Sequence, residues 1–270
     1  MKKIFTVLSA IALLLSLAAC TDTSASETTA PTEPPLKTVY VHSSITQEFG
    51  STVSRTEYVF DEQDRVKEVV VYTNDTETKR HSVECDENGN YIRWTSDGSV
   101  MEYTYNDHGH NLGMTMFIDG EQVSSTEYVW TNGLRTSVTT KMAAQNMAQK
   151  VLMTYDSKGL LLRQDSYTAD TLSSYSIYAY GENGQVKSMT TYLPDGTLYT
   201  VSTHTWQGNA QTIVTADAEG AVMQTAVLTY DDAKNLLTHT VYNALGDQVS
   251  KETHTWKALQ VDPNCPRASV

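Results

Sequence analysis

The sequence has few basic residues, and this shortage excludes one class of partner. Lys and Arg total 19 against 32 Asp and Glu, which gives a formal net charge of −13. Nucleic-acid binding depends on Lys and Arg contacts to phosphate, so the acidic balance argues against a nucleic-acid partner. It also argues against docking on anionic lipid by charge alone. We interpret the excess of acid as a source of solubility.

Sequence motifs of catalysis and of cofactor binding are also absent. No Gly-x-Ser-x-Gly elbow and no phosphate-binding glycine loop occur. The segment DENGN at residues 86–90 begins like a calcium loop, but position six, where that loop needs glycine, is Tyr91. His108 and His110, beside Asp107, could supply two metal ligands, and the third that an open zinc site needs would have to come from elsewhere. We interpret both segments as turns and predict no cofactor, no metal site and no enzymatic activity.

The N-terminus has the pattern of an export signal. Lys2 and Lys3 precede an apolar stretch over residues 4–17, and Ala18, Ala19 and Cys20 follow. A basic start, a short apolar region and small residues before the cut are typical of a secretory signal. The apolar stretch is too short for a stable transmembrane helix.

The ending Leu-Ala-Ala-Cys, residues 17–20, resembles the lipobox of bacterial lipoproteins. The resemblance implies cleavage before Cys20 and lipidation, such as palmitate, at that residue, and several acyl chains anchor far better than one. The alternative is an ordinary signal peptide with an incidental cysteine. Loss of residues 1–19 removes two lysines and no acid, which leaves 17 basic against 32 acidic residues and a charge of −15.

The lipoprotein resemblance implies a domain plan and a location. Residues 1–19 are the lipoprotein signal peptide, and residues 20–37 are a Ser/Thr/Pro-rich tether that cannot bury enough apolar area to offset its ordering entropy. The partner of acylated Cys20 is the lipid bilayer. The expected location is therefore the bacterial cell membrane, with the chain lipid-anchored and facing outside the cytoplasm.

A recurring pair of residues, mostly aromatic, organises the rest of the chain. We call the second residue of each pair the anchor. After residue 105 the anchors are 25, 25, 25, 26, 24 and 26 residues apart, and Cys85 takes an anchor position in the gap from 60 to 105. The other anchors form a structural ladder of rings: Phe60, Tyr105, Trp130, Tyr155, Tyr180, Trp206, Tyr230 and Trp256.

Each anchor begins the same local pattern. A turn rich in Asp, Asn and Gly follows it, then a strand of about seven residues, a second turn that is often Asp-Gly, and a returning strand. One repeat is thus two antiparallel strands, and about eight repeats predict about sixteen strands, with residues 38–48 as a further one. Helix signals are nearly absent, and KMAAQNMAQK at residues 141–150 is interpreted as an elongated hairpin tip with one helical turn at most. The repeat domain spans residues 38–258, and residues 259–270 are a C-terminal tail.

Strand periodicity places the rings on one face of the sheet. Each anchor and the residue two before it share that face, while Thr and Glu dominate the other. Several exposed rings would exceed the largest apolar patch of a typical monomer, about 600 Å². A flat sheet of that many strands would also be about 80 Å wide. We therefore predict an all-β antiparallel meander whose sheet curls into a barrel-like β-spiral, with the ladder inside.

The repeat resembles the YD repeats of the Rhs family, in which Tyr-Asp-x-x-Gly precedes a strand. The best matches are YDSKG at residues 155–159, YNDHG at 105–109 and YGENG at 180–184. The resemblance covers roughly residues 58–256 and implies strands that spiral into a shell. Its toxin function does not carry over, because only a short tail follows the last repeat.

Several single residues have two readings. Cys85 is either a small buried apolar residue or the partner of Cys265 in a disulfide. The expected location outside the cytoplasm is oxidising and permits such a bond. His204 and His254 replace rings on the ladder face, and His239 also lies on a strand; each is a hydrogen-bonded core histidine or a catalytic group.

Two functions follow from these features. The first is a lipid-anchored, non-catalytic surface repeat protein that serves as a scaffold or binds an envelope protein or glycan. The alternative is an envelope hydrolase with carboxylates or histidines inside the curled sheet and with Tyr175 and Tyr199 stacking sugars. An acid beside a histidine on the inner face would favour the hydrolase, and a ring-lined interior would argue against it.

Overall fold

The structure is a computed structural model that describes residues 36–145 and 147–262. This part of the chain consists of β-strands and a short 3-10 helix, Ala143–Gln145. No helix in these ranges is long and apolar enough to cross a membrane. The strands are β1 (Lys37–Phe49), β2 (Thr52–Phe60), β3 (Val66–Thr73), β4 (Thr76–Cys85), β5 (Tyr91–Ser96), β6 (Ser99–Tyr105), β7 (Asn111–Ile118), β8 (Glu121–Thr131), β9 (Leu134–Met142), β10 (Met147–Tyr155), β11 (Leu161–Thr168), β12 (Thr171–Tyr180), β13 (Val186–Tyr192), β14 (Leu198–Gln207), β15 (Ala210–Asp217), β16 (Val222–Tyr230), β17 (Leu236–Asn243) and β18 (Gln248–Val261).

The strands form one closed antiparallel meander. Each strand pairs with the next in sequence, and β18 pairs with β1 from Lys37↔Val261 to Glu48↔Lys251. The prediction of an all-β antiparallel meander that curls into a barrel-like form is therefore confirmed, and the structure adds that the sheet closes into a β-barrel. The predicted count, about sixteen strands plus residues 38–48, left out β2, the strand that ends at the first anchor. β18 extends to Val261, beyond the predicted end of the repeat domain at residue 258, because its last residues pair with the start of β1.

Side chains cap the turns that follow the anchors, and Asp156 shows how. Asp156 N donates to Leu160 O at 2.9 Å, and Oδ1 accepts from the backbone N of Lys158 and of Leu160 at 2.8 Å each. Gly159 sits at φ +82°, where a side chain would be strained. Asp61, Asp86 and Asn106 hold their turns in the same way. This is the physical basis of the Tyr-Asp-x-x-Gly pattern.

The ladder rings lie on the more buried face of each strand, which is the inner face of the barrel. On β12, Tyr178 and Tyr180 share one face and are half-buried. Ile177, which precedes Tyr178 and points to the opposite face, is 43% exposed. None of the eight ladder rings is fully buried. A ring of 18 strands encloses more space than one layer of side chains fills, so the rings line the wall and do not form a sealed core.

Two small apolar clusters are the most tightly packed parts of the described chain. One consists of Val39, Val41 and Leu259, where β1 and β18 extend together beyond their other neighbours. The other is built on β3 and β4, with Val66 and Val69 each 1% exposed. The Phe60 ring packs against both clusters.

The barrel has two rims, and each collects one kind of turn. The anchor rim carries the turns after the anchors, such as residues 61–65 and 156–160. The tip rim carries the opposite turns, such as residues 74–75 and 244–247, together with the 3-10 helix. Hydrogen-bonded neighbours in the sheet keep these turns in order around each rim.

Candidate functional site

Four ladder rings donate hydrogen bonds to the backbone of the preceding repeat. Tyr155 Oη donates to Arg135 O and Tyr180 Oη to Leu161 O, each at 2.8 Å. Trp130 and Trp256 donate from Nε1 to the backbone O of Asn111 and Leu236 at 2.7 Å. Burial raises the pKa of the anchor hydroxyls of Tyr105, Tyr155, Tyr180 and Tyr230, which keeps them protonated as donors.

The acceptors of these bonds share one position in the fold. Each lies at the start of the strand that follows the preceding anchor, pairs with that anchor and is beside a β-bulge: Leu161, Asn111 and Leu236 are the first residues of their strands, and Arg135 is the second. A bulge leaves the ladder of backbone bonds incomplete, and the next ring completes it. This role was not predicted, because the assignment of faces from the sequence counts the rings only as apolar. The signal was present, because most anchors are Tyr or Trp, which carry a donor, and not Phe.

Several anchors depart from this pattern. Tyr230 Oη donates to the Gln211 side chain, and Trp206 Nε1 is buried without a hydrogen-bond partner. The first two anchors also differ. Cys85 Sγ donates to Val66 O at 3.3 Å, so a thiol occupies the place of a ring. Phe60 has no donor, and the Lys257 ammonium lies 4.3 Å from its ring centroid and 2.6 Å from an Asp64 oxygen. Cys265 and Cys20 lie outside the described residues, so the disulfide and the lipidation stay predictions.

A polar cluster lies on the inner face where β1 meets β18. We call this pairing the seam, and the seam cluster is His42, Gln47, Glu252 and His254. His42 Nε2 lies 3.1 Å from His254 Nδ1, and Gln47 Nε2 donates to Glu252 Oε2 at 2.8 Å. Glu252 Oε1 lies 2.7 Å from His254 Nε2.

The surroundings of the seam cluster set its protonation. Burial and the neighbouring His254 lower the pKa of His42 to about 4, while Glu252 opposes this shift. The contact with His254 holds the pKa of Glu252 below its usual range, against the opposing effect of burial. Burial also lowers the pKa of His239, which pairs with Glu252 from β17. At neutral pH the cluster therefore contains a carboxylate and uncharged His42 and His239.

His204 belongs to a separate network on the inner face. Its Nδ1 lies 3.0 Å from Gln211 Nε2, and Gln211 Oε1 accepts from Tyr230 Oη at 3.2 Å. Leu228, 1% exposed, pairs with both Gln211 and His239 and so stands between this network and the seam cluster. The two ladder histidines, His204 and His254, are thus not brought together.

Of the turn histidines and outer tyrosines, His110 and Tyr175 pack against other side chains, and Tyr199 is exposed. The His110 ring stacks on Trp130 at 4.5 Å, and within the described ranges no group of three His, Cys, Asp or Glu could hold a metal ion. Tyr175 stacks on Tyr192 at 5.1 Å, and its ring has the Arg163 guanidinium 4.2 Å from its centroid. Tyr199 is 54% exposed and is available for contacts with a partner.

One half of the tip rim is apolar. Four consecutive hairpin ends, between β13 and β2 around the barrel, expose large apolar side chains, with Leu245 at 87% and Phe49 at 57%. We call this the apolar rim. It consists of Phe49, Val53, Leu193, Tyr199, Val222, Met223, Leu245 and Val249.

The other half of the tip rim exposes fewer large apolar side chains, with Ile118 at 41%. Exposed acidic residues occur in the turns of both halves: Asp75, Asp97, Asp119 and Asp170 in this half, and Asp195, Glu219 and Asp247 in the apolar half. The difference in apolar side chains was not predicted from the sequence, because the hairpin ends become neighbours only in the closed sheet.

The chain has been compared with known proteins by sequence and by structure. No protein-family model and no curated protein matches the sequence. A porin-like protein from Bacteroides uniformis is similar at 12% identity and a TM-score of 0.45, covering 80% of this chain and 98% of that one. A porin-like protein from Bacteroides vulgatus is similar at 7% identity and a TM-score of 0.29, with the same coverage. The Photorhabdus luminescens Tc holotoxin pore is similar at 12% identity and a TM-score of 0.40, and this chain covers 12% of its length. At these TM-scores the likeness carries no argument about function.

Proposed function

We propose that the chain is a lipid-anchored cell-surface protein whose barrel, built from YD-like repeats, is a non-catalytic binding module for another envelope protein. The apolar rim carries this proposal. Exposed apolar side chains on neighbouring elements form the kind of contiguous patch that marks interaction sites. On a chain with a net charge of −13, such a patch stands out from the polar surface around it.

The dimensions of the apolar rim fit a protein partner. Neighbouring hairpin ends are two strand spacings apart, about 10 Å, so four of them span about 30 Å. Seven of its eight residues are aliphatic or Phe, and one is Tyr. Glycan sites rely on several rings presented together with polar groups, whereas a mainly aliphatic surface matches a protein interface.

Site-specific photo-cross-linking tests the partner. The full chain, expressed in cells with a photoreactive residue at Leu245, is expected to form a discrete adduct with one envelope protein. The matched control places the same residue at Ile118, on the other half of the tip rim. Met223→Asp, introduced together with the Leu245 probe, should abolish the adduct. Equal adducts at both positions, an adduct that survives Met223→Asp, or no adduct argue against the proposal.

The lipid anchor is tested separately. Cys20→Ser is expected to abolish palmitate labelling and to release the exported chain from the membrane fraction. Retention in the membrane fraction with unchanged labelling would contradict lipidation at Cys20. Binding of the Cys20→Ser chain to protein-free lipid vesicles, lost in Met223→Asp, would assign the apolar rim to the bilayer in place of a protein.

The seam cluster supports the hydrolase as a second candidate. Glu252 and His254 are an acid and a histidine together on the inner face, the arrangement that favours this reading, although the anchors also line the interior. Glu252 has both oxygens engaged, so it would orient His254, and His42 would be the group that exchanges a proton with substrate. Turnover of an envelope ester or glycoside by the full chain, lost in His42→Gln and kept in His108→Gln, would support this candidate. Absence of turnover across such substrates would remove it.

A further inference from the structure

The seam is the place where the two ends of the meander meet. Residues of β1 and β18 are more than two hundred positions apart, and their pairing alone converts the row of strands into a ring. On the inner face a single contact between titratable side chains bridges the two strands, His42 Nε2 to His254 Nδ1 at 3.1 Å. The His42 ring also lies 3.8 Å from the Trp256 ring, between centroids.

One proton fits between these two nitrogens. With one ring donating and the other accepting, the contact is a hydrogen bond. If both imidazoles are protonated, two N–H groups and two positive charges face each other at that distance, which is repulsive. His254 is 8% exposed, so water reaches this ring poorly and cannot screen the repulsion.

We propose that the seam is a pH-sensitive closure of the barrel, which loosens when His42 and His254 are both protonated. The groups that face this pair come from every neighbouring strand. Glu252 and Trp256 lie on β18, His239 on β17, and Tyr58 on β2, with its ring 6.1 Å from His42. Of these, only Glu252 carries a charge at neutral pH, and its carboxylate partly offsets the lowering of the pKa of His42.

The direction of the effect follows from the environment of His42. Its pKa is about 4 in the closed barrel and about 6.5 when the ring is exposed to water. Closure is therefore complete above pH 6.5, and the seam weakens as the pH falls from 6.5 towards 4. Between pH 7.5 and 5, these values predict that local opening of the seam increases by about 10- to 30-fold.

Hydrogen exchange of the full chain at pH 7.5 and pH 5, corrected for intrinsic exchange rates, tests the proposal. Peptides from β1 and β18 are expected to gain exchange at pH 5 relative to the opposite wall, β9 and β10. His42→Phe keeps a ring beside Trp256 without a titratable nitrogen, and it should remove the pH response. His81→Phe is the matched control, because this half-buried histidine also packs near a tryptophan, at 5.9 Å, but on β4.

His42→Gln is the second test variant, because its amide can still donate to His254 Nδ1 and it should keep the seam closed at both pH values. The proposal is overturned if exchange at the seam does not change with pH, if exchange rises equally around the barrel, or if the response persists in His42→Phe and His42→Gln. Loss of the response in His81→Phe would also overturn it, since the source would then lie outside the seam.

Discussion

Single anchor side chains have two roles. Every ring lines the inner wall, and the polar atom of four of them also completes the backbone pairing of the previous repeat: Trp130, Tyr155, Tyr180 and Trp256. The ladder is not uniform, because Tyr230 donates to a side chain, Trp206 Nε1 is buried without a hydrogen-bond partner and Phe60 has no donor. Lys257 packs over the Phe60 ring. The face of each ring followed from the sequence, but the acceptor on the neighbouring repeat did not.

Loss of one anchor hydroxyl should therefore destabilise the barrel. Tyr180→Phe removes the 2.8 Å hydrogen bond to Leu161 O and leaves that carbonyl without its partner. The expected loss in the free energy of unfolding is about 1 kcal/mol. Tyr199→Phe, at a 54% exposed position, is the control and should change the free energy little. Equal effects of the two substitutions in urea unfolding would contradict the role of the anchor hydroxyl.

At the scale of the element, the hairpin depends on a capped turn followed by a bulge. The turn residues were predicted from sequence because their hydrogen bonds are local, within four positions of Asp156. The bulges were not predicted. Their position depends on how two strands register, and the pairing skips Leu162 between Tyr155↔Leu161 and Thr154↔Arg163.

Removal of a turn cap should weaken one hairpin. Asp156→Ala deletes the acceptor of two backbone N–H groups, those of Lys158 and Leu160. We expect a loss of about 1 kcal/mol in the free energy of unfolding, with faster hydrogen exchange confined to β10 and β11. Glu182→Ala, an exposed residue in the next turn of this kind, serves as the control. Uniform loss of protection around the barrel would be inconsistent with a local cap.

At the scale of the whole molecule, the two ends of the described chain meet in one apolar cluster beside Phe60. Val41 of β1 and Val261 of β18 both belong to it. Phe60 also packs against the cluster on β3 and β4, and so does Cys85. A disulfide with Cys265, the alternative to a buried apolar Cys85, would replace the hydrogen bond that the Cys85 thiol donates to the backbone.

The disulfide can be tested by mass. If Cys85 pairs with Cys265, the exported chain is lighter by two hydrogen atoms than its reduced form and yields one cross-linked peptide that contains both residues. In that case Cys85→Ser lowers the free energy of unfolding by about 2–4 kcal/mol under oxidising conditions and by much less under reducing ones. Alkylation of both thiols in the native chain without prior reduction would rule out the bridge.

Local patterns in the sequence determined much of the fold. The period of about 25 residues, the turn chemistry and the alternation of faces identify antiparallel hairpins, and the absence of helices to cover the rings requires the sheet to curl. These inferences hold because strand direction, turn type and face are set by interactions within a few residues.

The tertiary structure alone decided which strands close the ring and which side chains meet there. His42 and His254 are 212 positions apart, and neither has a local signal for the other. The apolar rim arises in the same way, from hairpin ends that are remote in sequence until the sheet closes. Closure depends on the summed twist and register of all the strands, a long-range property that no short stretch of sequence contains.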